Sequence, residues 1–293
     1  MERVLELTRK AAAVLAERGI EQSRLDAELL LAGVLGMKRL DLYLQHDRPL
    51  TADELERYRA AVRRRLKREP MQYILGTAAF RHLELHVDPR VLIPRPETEQ
   101  LVGAVLDWCR SHDRWGRVLD IGTGSGAIAL SLAAEGAFER VVASDVSPEA
   151  LDVAAGNAQR LGLADRIELR HGSLLDVVRP DEMFDVIVSN PPYIAESDRA
   201  MLAPEVVQHE PAGALFGGAD GLRAIEPIVR DAGACLAPGG LLALETAAGQ
   251  GAAIEQLMGR SGAYGAVEVR RDLAGRERMV LAECRREDGG MQS

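Results

Sequence analysis

The chain has 293 residues, of which 47% are hydrophobic, 28% charged and only 4% aromatic, with a formal net charge of -9. This is an ordinary globular composition, long enough for one large α/β domain plus a smaller one. The acidic balance argues against a broad phosphate-binding surface, and no stretch approaches the roughly 20 apolar residues of a membrane span.

In chain order, apolar residues first recur at helical spacing: Val4, Leu7, Ala11, Val14 and Leu15, then Leu25, Leu29, Leu30 and Val34. They predict a small helical domain over residues 1–75. Ser23 with Asp26 and Thr51 with Glu54 read as capping boxes at helix starts, and Gly19 and Gly36 as helix stops. The fourth helix ends in a basic run, Arg63, Arg64, Arg65, Lys67 and Arg68, which is either a docking surface for an acidic partner or a solvated face. Short alternating pieces, Ala79–Phe80 and then Leu83, Leu85 and Val87, predict a β-hairpin linker over residues 76–94. Two prolines, Pro94 and Pro96, then stiffen the entry into a helix running to about Cys109, and Arg95, Glu97 and Glu99 beside them either face a cleft or only cap that helix.

Over residues 95–286 strands and helices alternate. Val118–Ile121, Val141–Ser144, Ile167–Leu169, Val186–Val188 and Leu241–Leu244 read as buried parallel strands, and 267–272 and 279–284 as an antiparallel edge pair. Together they predict a seven-stranded, doubly wound sheet, followed by a loose tail over residues 287–293. Three cysteines, Cys109, Cys235 and Cys284, lie far apart without metal-ligand spacing, which argues against a disulfide framework or a metal site and fits a reducing, cytoplasmic compartment.

Two stretches carry chemistry. The strand ending at Ile121 runs into Gly122-Thr123-Gly124-Ser125-Gly126 and a helix, a layout in which glycines let a ligand approach the backbone. The spacing also satisfies a dinucleotide fingerprint, with Asp145 placed to hold ribose hydroxyls in either case. Asp120 and the alternate glycines make D-x-G-x-G-x-G, the arrangement of Rossmann-like class I S-adenosylmethionine-dependent methyltransferases. Leu174, after the third strand, is placed beside the adenine. The second stretch, Asn190-Pro191-Pro192-Tyr193, follows the apolar run from Phe184 to Ser189, at the strand end where open α/β sheets bind ligands. The Asn190 side-chain oxygen and the Pro191 carbonyl form a pair of acceptors suited to both hydrogens of a planar NH2 group, and Tyr193 offers a flat wall. Asn190 therefore faces both the substrate and the reactive methyl. A nicotinamide enzyme would need a proton-transferring residue there, and the tetrapeptide has none of the usual ones.

With Pro70-Met71-Gln72-Tyr73-Ile74-x-Gly76, Val91 through Glu99, and Leu215-Phe216-Gly217-Gly218-x-Asp220-Gly221, these motifs resemble the protein-(glutamine-N5) methyltransferases that modify peptide chain release factors, the PrmC/HemK family. The resemblance covers most of the chain. It implies a helical domain that docks the release factor, S-adenosylmethionine lying along Gly122 to Gly126 with Asp145 on its ribose, and S-adenosylhomocysteine as product. It also implies that Asn190 and the Pro191 carbonyl hold the glutamine of a Gly-Gly-Gln loop, with neither metal nor nucleic acid nor membrane involved. Ser173 stands where the family often has an acid, and Glu245 to Gln250 departs from a commoner Glu-x-Gly pattern, so no role is assigned to residues 245–250. Ribosomal-protein glutamine methyltransferases would share every catalytic residue. An N6-adenine DNA methyltransferase would also take a planar amine, but it would need phosphate-gripping cations. A non-catalytic scaffold would not need the glycines, Asp145 and the full tetrapeptide together.

Overall fold

The structure is a computed structural model that describes residues 2–272 and 274–285; the tail expected over 287–293 lies outside them. The chain divides into two compact units. One runs from the amino terminus to Thr77 and includes Ala203–His209; the other comprises Ala78–Leu202 and the chain from Glu210 onward.

The first unit holds α1 (Val4–Glu17), α2 (Ser23–Leu35), the short α3 (Asp41–Leu44), α4 (Ala52–Leu66) and α5 (Met71–Leu75). The helical-period residues Val4, Leu7, Ala11 and Leu15 pack with Leu30, Leu31 and Tyr58 into one core. Of the two expected capping boxes, one forms. The Thr51 side chain accepts from the Glu54 N–H, and the Glu54 carboxylate accepts from the Thr51 N–H. Ser23 does not cap α2; Asp26 instead turns inward and is buried, accepting from Arg65 Nε at 2.7 Å. Gly36 ends α2 in the left-handed conformation (φ 64°).

Four of the five cations in the basic run are paired within the unit, and Arg63, Arg64 and Lys67 remain exposed. Arg63 meets Glu56, Arg64 meets Glu69, and Arg65 meets both Asp26 and Glu205. Arg68 joins them at Glu205. Glu205 comes from a short helix, Pro204–His209, that follows Asn190–Tyr193 in sequence but folds with this unit.

In the second unit a two-stranded hairpin, β1 (Thr77–Phe80) and β2 (Leu83–His86), lays Phe80 and Leu85 into the core of the main sheet's helical face. Next come α6 (Pro96–His112), β3 (Arg117–Ile121), α7 (Ala127–Glu135), β4 (Arg140–Asp145), α8 (Pro148–Arg160), β5 (Ile167–His171) and β6 (Phe184–Ser189). With the helix just described as α9 and Ala212–Leu215 as α10, the chain finishes with α11 (Ile225–Ala232), β7 (Leu236–Glu245), α12 (Gly251–Ser261), β8 (Tyr264–Arg271) and β9 (Glu277–Cys284). The sheet order is β5-β4-β3-β6-β7-β9-β8. Its first five strands are parallel, and β9 runs antiparallel to both its neighbours.

Successive strand residues feed opposite faces, as a sheet covered on both sides requires. Val118, Val186, Val188, Leu241 and Ala243 pack with α6 and α7, while Leu119, Ile187, Leu242 and Leu244 pack with α11 and α12. The chain leaves β3 toward β4 and β5, then returns to start β6 on the other side. The crevice at that reversal is where a doubly wound sheet takes its ligand.

Candidate active site

A cavity of about 550 Å³ opens at the carboxyl ends of the parallel strands, between the turns after β3, β4 and β6. Its walls are largely apolar, from Leu92, Pro94, Ile128, Leu174 and Ile228, with a few polar groups set among them. Such a mixture and size suit a cofactor-sized organic ligand.

The glycine turn forms its floor. Gly122 and Gly124 take φ of 73° and 55°, and a side chain built on either would project into open space. Gly122 and Thr123 donate backbone N–H groups to the Ser144 carbonyl, tying the turn to β4. Gly126, expected to line the ligand, lies outside the cavity lining. It caps α7 with φ 84°, and a methyl there would come within 2.8 Å of Leu130. Beneath the turn, Asp120 is fully buried. One of its oxygens accepts from Thr123 Oγ1 at 2.6 Å and from the Ala129 N–H, while the other is unpartnered among the described residues. Burial pushes its pKa up to about 7, against the pull of those two hydrogen bonds.

Asp145 ends β4 in the lining. Its Oδ2 accepts from the Gly124 N–H and its Oδ1 from the Ser147 N–H, each at 2.9 Å. Each oxygen has a second acceptor site left for a ligand hydroxyl. Leu174 also lines the cavity, held in a left-handed turn at φ 48°. With open space above two glycines, a carboxylate with acceptor capacity to spare and apolar walls, these residues fit the ribose diol and flat base of S-adenosylmethionine.

Asn190, Pro191 and Pro192 line the cavity, but Tyr193 does not. The expected flat wall instead packs against the core under α11 and α12 and donates its hydroxyl to Glu245 Oε1 at 3.0 Å. Burial, followed by the nearby Glu245 charge, drives the Tyr193 pKa upward, so the hydroxyl keeps its proton. The other Glu245 oxygen accepts from Thr98 Oγ1 at 2.6 Å, and Thr98 Oγ1 in turn accepts from Asn190 Nδ2 at 3.1 Å. Glu245 is 2% exposed. Burial raises its pKa, while the Thr98 and Tyr193 hydrogen bonds act to lower it.

A second loop supports the tetrapeptide from behind. Gly217 and Gly221 pass so close to it that a methyl at either would lie 2.3 Å from the Pro192 carbonyl oxygen or 2.2 Å from that of Tyr193. Gln250 holds the same region, donating to the Tyr193 and Asp220 carbonyls and accepting from the Ala247 N–H.

Thr98, Glu245 and Gln250 carried no assignment from sequence. The Pro-Arg-Pro-Glu-Thr-Glu stretch drew attention to its charges, yet neither Arg95, Glu97 nor Glu99 lines the cavity. Arg95 pairs with Glu210 at 2.5 Å, and Glu99 accepts from the Arg81 N–H. The uncharged residue between the two acids is the one in the site. Among the described residues no group of three or more His, Cys, Asp or Glu side chains is placed to hold a metal ion, and no helix is long and apolar enough to cross a membrane.

Residues 6–76 match the family described as PrmC N-terminal domain, and residues 118–209 match a methyltransferase domain. A release factor glutamine methyltransferase of Gloeobacter violaceus is 46% identical over 257 residues, spanning 87% of this chain and 89% of that protein. One of Geobacter sulfurreducens is 45% identical over 260 residues, spanning 89% and 88%. Among solved structures, the T. thermophilus 16S rRNA N2 G1207 methyltransferase in complex with AdoMet and guanosine superposes with a TM-score of 0.53 at 23% identity, over 71% of this chain and 50% of that one. The human Mettl16 catalytic domain gives 0.55 at 18% identity, over 70% and 76%. These two likenesses are of fold.

Proposed function

We propose how a chain that belongs to the release factor glutamine methyltransferases uses this pocket: Asn190 and the Pro191 carbonyl hold the substrate carboxamide while the Gly122–Ser125 turn and Asp145 hold the methyl donor. The enzyme transfers a methyl group from S-adenosylmethionine to a glutamine of peptide chain release factors. Bound S-adenosylmethionine supplies an electrophilic methyl on a sulfonium sulfur, and its loss leaves S-adenosylhomocysteine.

A carboxamide nitrogen is a poor nucleophile because its lone pair is delocalised into the carbonyl. Asn190 Oδ1 and the Pro191 carbonyl accept the two N–H groups and so fix the rotation of the amide about its own plane. The nitrogen's remaining direction then points along the line of attack. The acceleration comes from positioning. As the new N–C bond forms the nitrogen becomes acidic, and it sheds one proton to water. The target is the side-chain amide nitrogen (N5) of the glutamine in the Gly-Gly-Gln loop of the factor, and the helical domain, residues 1–75, docks that protein. Its match to the PrmC N-terminal domain supports the docking role. Three free thiols, Cys109, Cys235 and Cys284, support a reducing, cytoplasmic setting.

The observation that carries this reading is the amide of Asn190 in the cavity wall with its nitrogen already engaged by Thr98, which leaves its oxygen to accept. Asn190→Ala, assayed with labelled S-adenosylmethionine and a purified release factor, is expected to lower kcat by about 100-fold or more while the cofactor Kd holds. Turnover within about threefold of the parent enzyme would remove Asn190 from its role.

A further inference from the structure

Asn190 can serve as an acceptor only if its oxygen, not its nitrogen, faces the substrate. The two ends of an amide are nearly the same size, so packing alone does not choose between them. The neighbours that choose are Thr98 and Glu245. We propose that Thr98 and Glu245 are positioning residues, a hydrogen-bond relay whose direction fixes the Asn190 amide with its oxygen toward the substrate nitrogen. This rests on the reading of Asn190 given above.

The argument follows the protons. Thr98 has one hydroxyl proton and two lone pairs. Glu245 Oε2 lies 2.6 Å from Thr98 Oγ1 and its other oxygen is met by the Tyr193 hydroxyl; in the carboxylate form, which these two donors favour against the upward push of burial, it takes the Thr98 proton. Only acceptor capacity is left on Thr98, so the group 3.1 Å away on Asn190 must be the NH2. Rotating the Asn190 amide by half a turn would set its oxygen against an oxygen with no proton to give. The other Glu245 oxygen is occupied by the Tyr193 hydroxyl at 3.0 Å, so the carboxylate itself cannot rotate without losing one of two buried bonds. Thr98 and Glu245 are 3% and 2% exposed, which keeps water from substituting for either partner. The relay is therefore one-directional, from two hydroxyl donors on a single acceptor-only group at one end to a presented amide oxygen at the other.

The elements that carry it are fixed independently of one another. Thr98 lies in the first turn of α6 behind Pro96, Glu245 is the last residue of β7, and Asn190 immediately follows β6. Strand register places Ser189 beside Leu244, which brings the next residue of each strand, Asn190 and Glu245, to the same level.

The test is a mutant cycle on the full-length enzyme with a release factor substrate, reading kcat, cofactor Kd and thermal stability. Thr98→Val keeps the shape and removes both hydrogen bonds; kcat is expected to fall about ten- to hundredfold with cofactor Kd within about twofold. Thr98→Ser, which keeps the hydroxyl, recovers most of that loss. Glu245→Gln can accept from Thr98 or from Tyr193 but not from both, and is expected to lose several-fold in kcat with the fold intact. In an Asn190→Ala background Thr98→Val has no further effect on kcat, because its only route to the reaction is gone. Equal losses from Thr98→Val in the two backgrounds, or full turnover in Thr98→Val or Glu245→Gln, would overturn the relay. If Asn190→Ala itself retained turnover, the parent reading of Asn190 would fail instead, and the two failures are told apart by that single variant.

Discussion

Replacing Asp145 by Asn separates a carboxylate's geometry from its size. In the structure each Asp145 oxygen accepts one backbone N–H, from Gly124 and from Ser147, both at 2.9 Å. An amide cannot repeat this. Whichever way it turns, its NH2 faces one of two N–H donors, and the mismatched backbone group loses its partner. Two costs fall on cofactor binding. On the reading proposed for Asp145, the hydrogen bond that a ribose hydroxyl donates to a charged acceptor is weakened, worth about 1.5–3 kcal/mol. The displaced backbone group then disturbs either the glycine turn or the start of α8. Since about 1.4 kcal/mol is tenfold in affinity, Kd for S-adenosylmethionine should rise about ten- to hundredfold. Calorimetric titration of Asp145→Asn and Asp145→Ala measures it, and turnover at saturating cofactor should stay within about threefold of the parent. The Ala variant removes both acceptors, leaving the Gly124 and Ser147 N–H groups and the ligand hydroxyls without them, so its loss should be at least as large as that of the Asn variant. An Asn variant that binds the cofactor within about threefold of the parent would refute the two-acceptor account of this residue.

In the helical unit, Arg65→Met leaves the buried Asp26 carboxylate without its partner at 2.7 Å and should cost about 3–5 kcal/mol, seen as faster hydrogen exchange in α2 and α4. Adding Asp26→Leu should restore most of it, and protection unchanged in the single variant would contradict the assignment. At Glu182, the Arg170 guanidinium holds the carboxyl well below its usual value of 4.5, at about 2. The folded-state pKa is depressed, so the stabilisation is complete above about pH 4.5 and disappears as pH falls toward 2. Glu182→Gln should therefore lower stability by about 3 kcal/mol near pH 7, with a difference from the parent that closes at acid pH in denaturation experiments. A constant difference across that range would place the effect elsewhere.

What could be read from the residues in order was whatever depends on near neighbours. The two-sided apolar runs gave the parallel strands, because a strand covered on both faces has no polar side to show. The Thr51–Glu54 cap was legible because donor and acceptor lie three residues apart. Ser23 with Asp26 has the same local spelling and a different outcome, and the difference is Arg65, 39 residues further on. The pairing inside the basic run was hidden for the same reason, since one of its neutralising acids, Glu205, lies 140 residues beyond Arg65. Chemistry alone also did not separate substrates for glutamine methylation; relatives at 45–46% identity did.

The unread part of the site has the same character: Thr98 and Glu245 meet across 147 residues, Asn190 and Thr98 across 92. Yet one step of geometry would have reached Glu245 without any homologue. In a doubly wound sheet β6 and β7 are adjacent and parallel, so residues that end them stand side by side. Once Asn190 is taken as the first residue past β6, its counterpart on β7 is the first polar residue after the apolar run Leu241–Leu244, and that residue is an acid. A carboxylate at the buried edge of a sheet is costly unless it is met by donors. Tyr193 and Thr98 are those donors, and satisfying Glu245 leaves Thr98 able only to accept from Asn190. The burial cost of Glu245 and the orientation of the cavity-lining Asn190 amide are thus met by one set of hydrogen bonds.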